Sequence, residues 1–346
     1  MKQGEASMKA LVYEGPWQMP LREVPEPEPG PEDVIVAVKA VGVCGSDIHG
    51  FTGASGRRIP PMIMGHEFSG EIRAVGAAVT DHRPGERVVV QPIITCGQCI
   101  NCLAGLPNIC TNRRGLGMMT TNGAYAELVC VPQQLLYELP AEVSWEHGAL
   151  VEPLSVAMHA VNQTPIQLMD TVLILGAGTI GLMTLLSCRL KGAGKIIVAD
   201  LSPHRLEVAR KLGADVTVNP AAEDLGEVVR RYAGPAGAPV VMEAVGVTAT
   251  ARQSLELVRP GGHVTWIGNA MPTIEIPMQQ VVTREVTIRG VYAFNVEFGR
   301  AIETIRSGRV DVSPIIEQVT PLEEGPQIAH DLAKGTLDAI KVVLRP

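Results

Sequence analysis

Aromatic side chains are scarce: Phe, Trp and Tyr make up 3% of the 346 residues. That scarcity removes the stacking platforms on which single-stranded nucleic acids are bound. A basic excess is missing too. The net charge is -7, so the chain carries no cationic footprint for a phosphate backbone. Internal repeats and low-complexity tracts are absent, which gives no sign of a stacked-repeat architecture. The 36 glycines and 26 prolines are spread along the chain rather than gathered into a linker. Long uncharged runs are nearly lacking. Thr171–Cys188 approaches the length of a membrane span, but three glycines break it, and a buried strand, a tight turn and a buried helix account for it better. Met1–Ser7 has no apolar run, so no secretory leader is expected. Met8 reads as a natural start, with residues 1–7 as an extension. Neither a nucleic acid nor a membrane is an expected partner; a small molecule is.

What the chain does have is cysteine concentrated in one place. Of its 7 cysteines, Cys96, Cys99, Cys102 and Cys110 fall on one short loop. Four thiolates at this spacing close a tetrahedral shell around Zn2+ and leave no open position. Such a metal shapes a lobe and does no chemistry itself. Disulfides are the competing reading. An odd count and the missing leader favour a reducing, cytoplasmic compartment, where clustered cysteines point to metal. Cys130 and Cys188 sit in apolar surroundings and read as inert core thiols.

The first part of the chain is β-rich. Lys9–Tyr13, Val34–Val38 and Arg87–Val90 are strand-like, and Pro25–Pro31 is a breaker-rich connector. From about residue 155 the texture alternates between strand and helix. Thr171–Leu175, Lys195–Asp200, Val240–Ala244 and His263–Ile267 are expected strands. Ile180–Leu190, Pro203–Leu212 and Thr250–Val258 are expected helices, with Ser202 as N-cap before Pro203. Repeated βα units imply a parallel sheet covered by helices on both faces. The pattern turns irregular after about residue 290 and ends in the strand Ile340–Leu344, which can return to the first domain and make it discontinuous.

Gly176-Ala177-Gly178-Thr179-Ile180-Gly181 follows an expected strand and opens an expected helix, the context a dinucleotide fingerprint requires. The first glycine permits the turn, the second lets backbone approach a pyrophosphate, and the third allows close helix–strand packing. The helix N-terminus offers free N–H groups and a positive dipole to the phosphates. Asp200, at the end of the next strand, can accept both ribose hydroxyls of NAD and repel a 2′-phosphate. Arg205 is near enough in sequence to keep NADP in view.

Cys44, His66, Glu67 and Glu152 form no compact motif, and spacing alone does not single them out. The order of motifs does. Cys44-Gly45-Ser46-Asp47, Gly65-His66-Glu67, the four-cysteine loop, Glu152-Pro153 and Gly176–Gly181 together resemble the zinc-dependent medium-chain dehydrogenase family. The resemblance covers nearly the whole chain from Met8. It is similar above all to the polyol branch, which holds the sorbitol, galactitol-phosphate and butanediol dehydrogenases. Val151–Val156, Asp200-Leu201-Ser202 with Arg205-Leu206, and Gly65–Gly70 carry that likeness.

The resemblance implies an α/β enzyme with two domains. Residues 1–155 and 291–346 would form a GroES-like, β-rich catalytic domain, and residues 156–290 a Rossmann domain with a doubly wound parallel sheet that binds NAD. Two Zn2+ per chain are implied, one on the four cysteines and a catalytic one on Cys44, His66 and Glu67. Glu152 would be its fourth ligand or the carboxylate that holds the zinc water. The implied activity is NAD-dependent oxidation of a secondary alcohol of a polyol or sugar alcohol to the ketone, with Ser46 relaying the proton toward His49. A less polar diol such as butanediol, or a catalytically silent NAD-binding scaffold, are the alternatives. The branch's polyol-reading arginine falls at Ala293 here, and its usual aromatic after the first motif's histidine is replaced by Gly50. Arg57 and Arg58 are candidates for a sugar phosphate, or otherwise a solvated loop. Edge-strand pairing around Glu285–Tyr292 would give a homodimer or homotetramer.

Overall fold

The computed structural model describes residues 6–346; Met1–Glu5, most of the expected extension, lies outside the described residues. The chain divides into two compact units. The first comprises the chain up to Glu152 with Phe298–Gly308 and Ile316–Pro346, and the second Pro153–Glu297 with Arg309–Ile315. The block 291–346 is therefore shared between the units. Arg309–Ile315 counts with the second because its turn Ser313–Ile315 packs on the helix Pro203–Lys211.

In chain order the first unit opens with β1 (Ser7–Tyr13), β2 (Leu21–Pro25), β3 (Asp33–Gly42), α1 (Gly45–Phe51), β4 (Met62–Ile63) and β5 (Glu67–Val75). It continues with β6 (Arg87–Val90), β7 (Ile93–Ile94), α2 (Ile100–Leu103), β8 (Arg114–Gly115), β9 (Leu128–Pro132), β10 (Leu136–Glu138) and α3 (Trp145–Ala149). β3 is buried almost throughout, as a central strand with apolar residues on both faces should be. β1 alternates more clearly and covers one side of the core formed by Leu11, Tyr13, Val36, Phe68 and Ile72.

The second unit begins in α4 (Val151–Asn162), within whose first turn the boundary falls. There follow β11 (Thr171–Leu175), α5 (Thr179–Lys191), β12 (Lys195–Ala199), α6 (Pro203–Lys211), β13 (Val216–Val218), α7 (Leu225–Ala233), β14 (Ala238–Glu243), α8 (Thr248–Leu257), β15 (Val258–Trp266), α9 (Met278–Val282) and β16 (Thr287–Gly290). The strands form one parallel sheet in the order β13-β12-β11-β14-β15-β16. This is the doubly wound arrangement that alternating βα texture implies. Ser202 caps α6 by accepting the Arg205 N–H at 3.3 Å. The uncharged stretch Thr171–Cys188 resolves into β11, the glycine turn and most of α5, and no helix of the described residues is long and apolar enough to cross a membrane. β16 is an edge strand of this sheet, inside the Glu285–Tyr292 stretch expected there.

The chain then supplies α10 (Phe298–Arg306), β17 (Ile316–Pro321), α11 (Gly325–Lys334) and β18 (Lys341–Arg345). β18 pairs antiparallel with the end of β3, with Val343 opposite Gly42. The main sheet of the first unit runs β10-β6-β5-β3-β18-β17, with β9 also on β3. Its C-terminal strand thus returns to the N-terminal fold, and β3 is flanked near Gly42 by both β5 and β18.

Candidate functional site

Among the described residues, two groups of metal-capable side chains converge in the first unit. One is the cysteine loop: the Sγ atoms of Cys96, Cys99, Cys102 and Cys110 lie within 4.8 Å of one another. They are free thiols rather than disulfides, and Cys99 and Cys102 are 3.5 Å apart, as are Cys96 and Cys110. Their protons are unequally held. Backbone N–H groups of Cys102 and Thr111 lower the Cys99 thiol to about 5. Burial and the neighbouring Cys99 push Cys102 up to about 12. Four sulfurs at this distance fit a tetrahedral Zn2+. Arg113 donates to the Cys110 carbonyl at 3.1 Å and so belongs to this loop. The lone thiols are raised as inert ones should be: burial takes Cys188 to about 12 and the half-buried Cys130 to about 11.

The second group comprises Cys44, His66 and Glu67, whose ligand atoms also lie within 4.8 Å of one another. Three elements bring them together. Cys44 is the N-cap of α1, where its sulfur accepts the Ser46 N–H at 3.4 Å. His66 precedes β5, and Glu67 opens it, opposite Gly42 of β3. The Glu67 carboxylate lies across Gly42: a Cβ there would stand 2.4 Å from Glu67 Oε2. On the far side of β3 it meets Lys341 of β18, whose Nζ donates to Oε2 at 2.6 Å and to the Val43 carbonyl at 3.0 Å. Both charged side chains are buried. Burial alone would lower the Lys341 ammonium, but Glu67 and Cys44 hold its pKa above the ordinary value.

Asp47, buried in the first turn of α1, collects three partners. Arg58 donates to Oδ1 at 2.8 Å, and the Tyr125 hydroxyl donates to Oδ2 at 2.8 Å. His66 Nδ1 lies 3.4 Å from Oδ1, within ion-pair reach but outside hydrogen-bond geometry. Burial would raise the Asp47 carboxyl; His66 and Arg58 outweigh it and hold it well below the usual carboxylate range. Burial likewise disfavours His66 as a cation, but Asp47 and Cys44 raise its pKa. A sulfur, an imidazole and a carboxylate at this separation, with the other face of the imidazole against a carboxylate, fit a zinc centre whose remaining position is open.

Glu152 stands apart from this group of three. It is buried, and burial with the nearby Glu67 and Asp47 pushes its carboxyl up to about 7 against the pull of His66 and Lys341. Ser46 and His49 are both exposed on α1. Arg57 is exposed, but Arg58 is buried in the Asp47 pair, so it is not a free cation for a sugar phosphate. Sequence reasoning gave no role to Asp47, Tyr125 or Lys341. For Lys341 a signal was present: a charge leads the apolar run Val342–Leu344, ahead of the exposed Arg345.

In the second unit the loop after β11 has the shape its glycines imply. Gly176 adopts φ +99°, and a Cβ on Gly181 would stand 1.8 Å from the Gly176 carbonyl oxygen. Gly178 is the N-cap of α5, so Thr179, Ile180 and Gly181 form its first turn. Asp200 accepts the Ala177 N–H at 2.7 Å through Oδ2 and the Ser202 N–H at 2.8 Å through Oδ1. Each oxygen keeps a lone pair for a further donor. An uncapped helix start beside a carboxylate fits a dinucleotide's pyrophosphate and ribose.

Residues 30–141 match the family described as Alcohol dehydrogenase GroES-like domain, and residues 179–307 match Zinc-binding dehydrogenase. Sorbitol dehydrogenase of Bacillus subtilis is 33% identical over 98% of each chain. L-idonate 5-dehydrogenase of Vitis vinifera is 36% identical over 92% of this chain and 89% of that one. Among solved structures, a zinc-binding dehydrogenase of Sinorhizobium meliloti 1021 bound to NADP superposes with a TM-score of 0.92 at 35% identity, covering 99% of this chain and 100% of that one. The chain is an oxidoreductase and belongs to the zinc-dependent medium-chain dehydrogenase family, in its polyol branch.

Proposed function

We propose that the protein interconverts a secondary alcohol of a polyol or sugar alcohol and the corresponding ketone, with NAD as the redox partner. The observation that carries this reading is the convergence of Cys44, His66 and Glu67 with Glu152 held outside the set. Three ligands leave a position for substrate, which a closed four-cysteine shell does not. When bound, zinc supplies Lewis-acid polarisation of the substrate hydroxyl, and NAD takes up the hydride.

The chain's own residues do the rest. Cys44, His66 and Glu67 hold the metal, Asp47 orients the His66 ring, and Lys341 limits the charge Glu67 brings. Glu152, pushed up to about 7 by burial, can exchange a proton near neutrality or hold a water at the centre. Its separation from the three ligands favours the water-holding role. Ser46, exposed on α1, takes the substrate proton and passes it toward His49 at the solvent side of the same helix. Gly176, Gly178, Thr179, Ile180 and Gly181 receive the pyrophosphate, and Asp200 receives the ribose hydroxyls. Asp200 favours NAD; Arg205, in the first turn of α6, is what would favour NADP if that carboxylate were lost. Cys96, Cys99, Cys102 and Cys110 hold the second zinc.

A second reading, a less polar diol, is favoured by Gly50 and Ala293, which leave out the contacts that read a polyol's several hydroxyls. The burial of Arg58 also removes one candidate for binding a phosphate. Both readings are separated by NADH formation with sorbitol, galactitol 1-phosphate and 2,3-butanediol, each offered with NAD+ and with NADP+. Turnover of one class with NAD+ is expected. Two bound zincs with no turnover of any secondary alcohol would refute the activity.

A further inference from the structure

We propose that Arg58 is a positioning residue of the Cys44–His66–Glu67 centre, holding Asp47 in place so that His66 keeps its metal-facing orientation. This rests on the reading of that group as a zinc site. Arg58 follows α1 on a loop that is mostly exposed, yet its own side chain is 3% exposed and that of Asp47 1%. Its Nη2 donates to Asp47 Oδ1 at 2.8 Å and to Ser46 Oγ at 3.4 Å, and its Nη1 donates to the Arg57 carbonyl at 3.3 Å. Asp47 Oδ1 is the oxygen that also faces His66 Nδ1 at 3.4 Å. One carboxylate oxygen therefore links the guanidinium to the imidazole, while Tyr125 fixes the other oxygen. A carboxylate tied at both oxygens cannot swing away from the ring.

The path of the arginine depends on Gly50. A Cβ at that position would stand 2.4 Å from Arg58 Cγ, and 3.4 Å from its Cδ and Nε. The glycine that replaces an aromatic in the α1 motif thus opens the route by which the arginine stem reaches Asp47. Arg58 can only donate. The Ser46 oxygen is consequently an acceptor on that side, and the Ser46 proton is directed away from Arg58.

Orienting a metal-bound imidazole from a distance shows in metal retention, since partners behind a ligand typically change metal affinity about 10- to 100-fold. The test uses zinc-loaded protein and a chromophoric chelator that follows release of both zincs. A Cys99→Ser variant assigns the phase that belongs to the cysteine loop. Arg58→Met is expected to speed release from the Cys44 site by roughly tenfold or more and to leave the cysteine-loop phase unchanged. Arg58→Lys is expected to recover part of the loss. Gly50→Ala, which keeps the arginine but blocks its stem, should move the same phase in the same direction. In an Asp47→Asn background, Arg58→Met should add little, because the two act in series. Unchanged release in Arg58→Met, equal loosening of both zincs, or an undiminished effect in the Asp47→Asn background would each overturn the inference. Wild-type protein that takes up zinc on the cysteine loop alone would instead overturn the metal-site reading beneath it.

Discussion

Lys341 Nζ lies 2.6 Å from Glu67 Oε2 with both side chains buried, so an ammonium already sits on one of the carboxylates proposed to hold metal. The two residues come from strands on either side of β3 and meet only because position 42 lacks a side chain. Metal and lysine are alternative counter-charges for the same group. Removing the lysine leaves a buried carboxylate unpaired, a loss of about 3–5 kcal/mol when nothing replaces it. Zinc replaces it in part.

Lys341→Met is therefore expected to destabilise the metal-stripped protein strongly and the zinc-loaded protein less. The rise in melting temperature on adding zinc should be larger in the variant than in wild type, since a ligand stabilises by its preference for the folded state. Thermal melts of stripped and reloaded protein check this. An equal zinc-induced rise in both proteins would mean that Lys341 and the metal do not share Glu67.

The cysteine loop gives an independent prediction. Its thiols differ widely in acidity, with Cys99 at about 5 and Cys102 at about 12, because the first thiolate is stabilised by backbone N–H groups and the second must form beside it. A metal ion is what allows all four to be thiolates together. Cys102→Ser should lower the zinc content from two per chain to one, as read by elemental analysis, and should lower the melting temperature. The zinc that remains should still be removable by substitution of Cys44. Loss of both metals from Cys102→Ser alone would argue that the loop is needed to form the first unit as a whole.

Local chemistry decided what could be read in the sequence. β11, α5, β12 and α6 follow from periodicity, a glycine turn and the Ser202–Pro203 helix start, all of which act within a few residues. The cysteine loop was legible for the same reason. Cys44, His66 and Glu67 needed the order of motifs, because an irregular loop separates the start of α1 from the start of β5 and only the fold brings the two ends together. Arg58 read as a candidate phosphate ligand or a solvated charge beside Arg57, and its burial depends on a glycine in the preceding helix. The partners of Tyr125 and Lys341 were opaque because they lie far away in the chain, and no spacing rule connects residues 274 apart in sequence, as Lys341 and Glu67 are.

The Asp200 carboxylate predicts the cofactor preference. Both its oxygens are already fixed by backbone N–H groups of Ala177 and Ser202, so the charge is held next to the glycine loop. A 2′-phosphate would meet that fixed charge. Asp200→Ala should weaken NADH binding and improve NADPH binding, with the ratio of dissociation constants moving by roughly 100-fold. Arg205→Ala added to that variant should take back the NADPH gain. Titrations followed by nicotinamide fluorescence measure both. If Asp200→Ala leaves the ratio unchanged, the carboxylate shapes the loop and does not select the cofactor.

Glu297 provides the acid-stability prediction. Its buried carboxylate accepts the Asn295 N–H at 2.8 Å and the Asn162 side chain at 3.1 Å, and lies 3.3 Å from His159 Nδ1. Burial alone would raise this group, but the neighbouring His159 and the hydrogen bonds from Asn295 and Asn162 lower it to about 2 from an ordinary 4.5. A depressed folded-state value stabilises the protein while pH stays above the unfolded-state value and ceases to do so as pH falls through the folded one. The contribution is thus complete above about pH 5 and disappears between roughly pH 4.5 and 2, with a size on the order of 2–3 kcal/mol. Glu297→Gln keeps the shape and removes the charge. Its denaturant stability should fall below wild type at neutral pH, and the gap should close on acidification through that window. Asn162 and His159 both belong to α4 and Glu297 ends the second unit's long segment, so the variant should also loosen that segment's tie to α4. Hydrogen exchange at Asn295–Glu297 reads this loosening directly. A stability gap that persists unchanged at pH 3 would mean that the carboxylate contributes through packing and not through its charge.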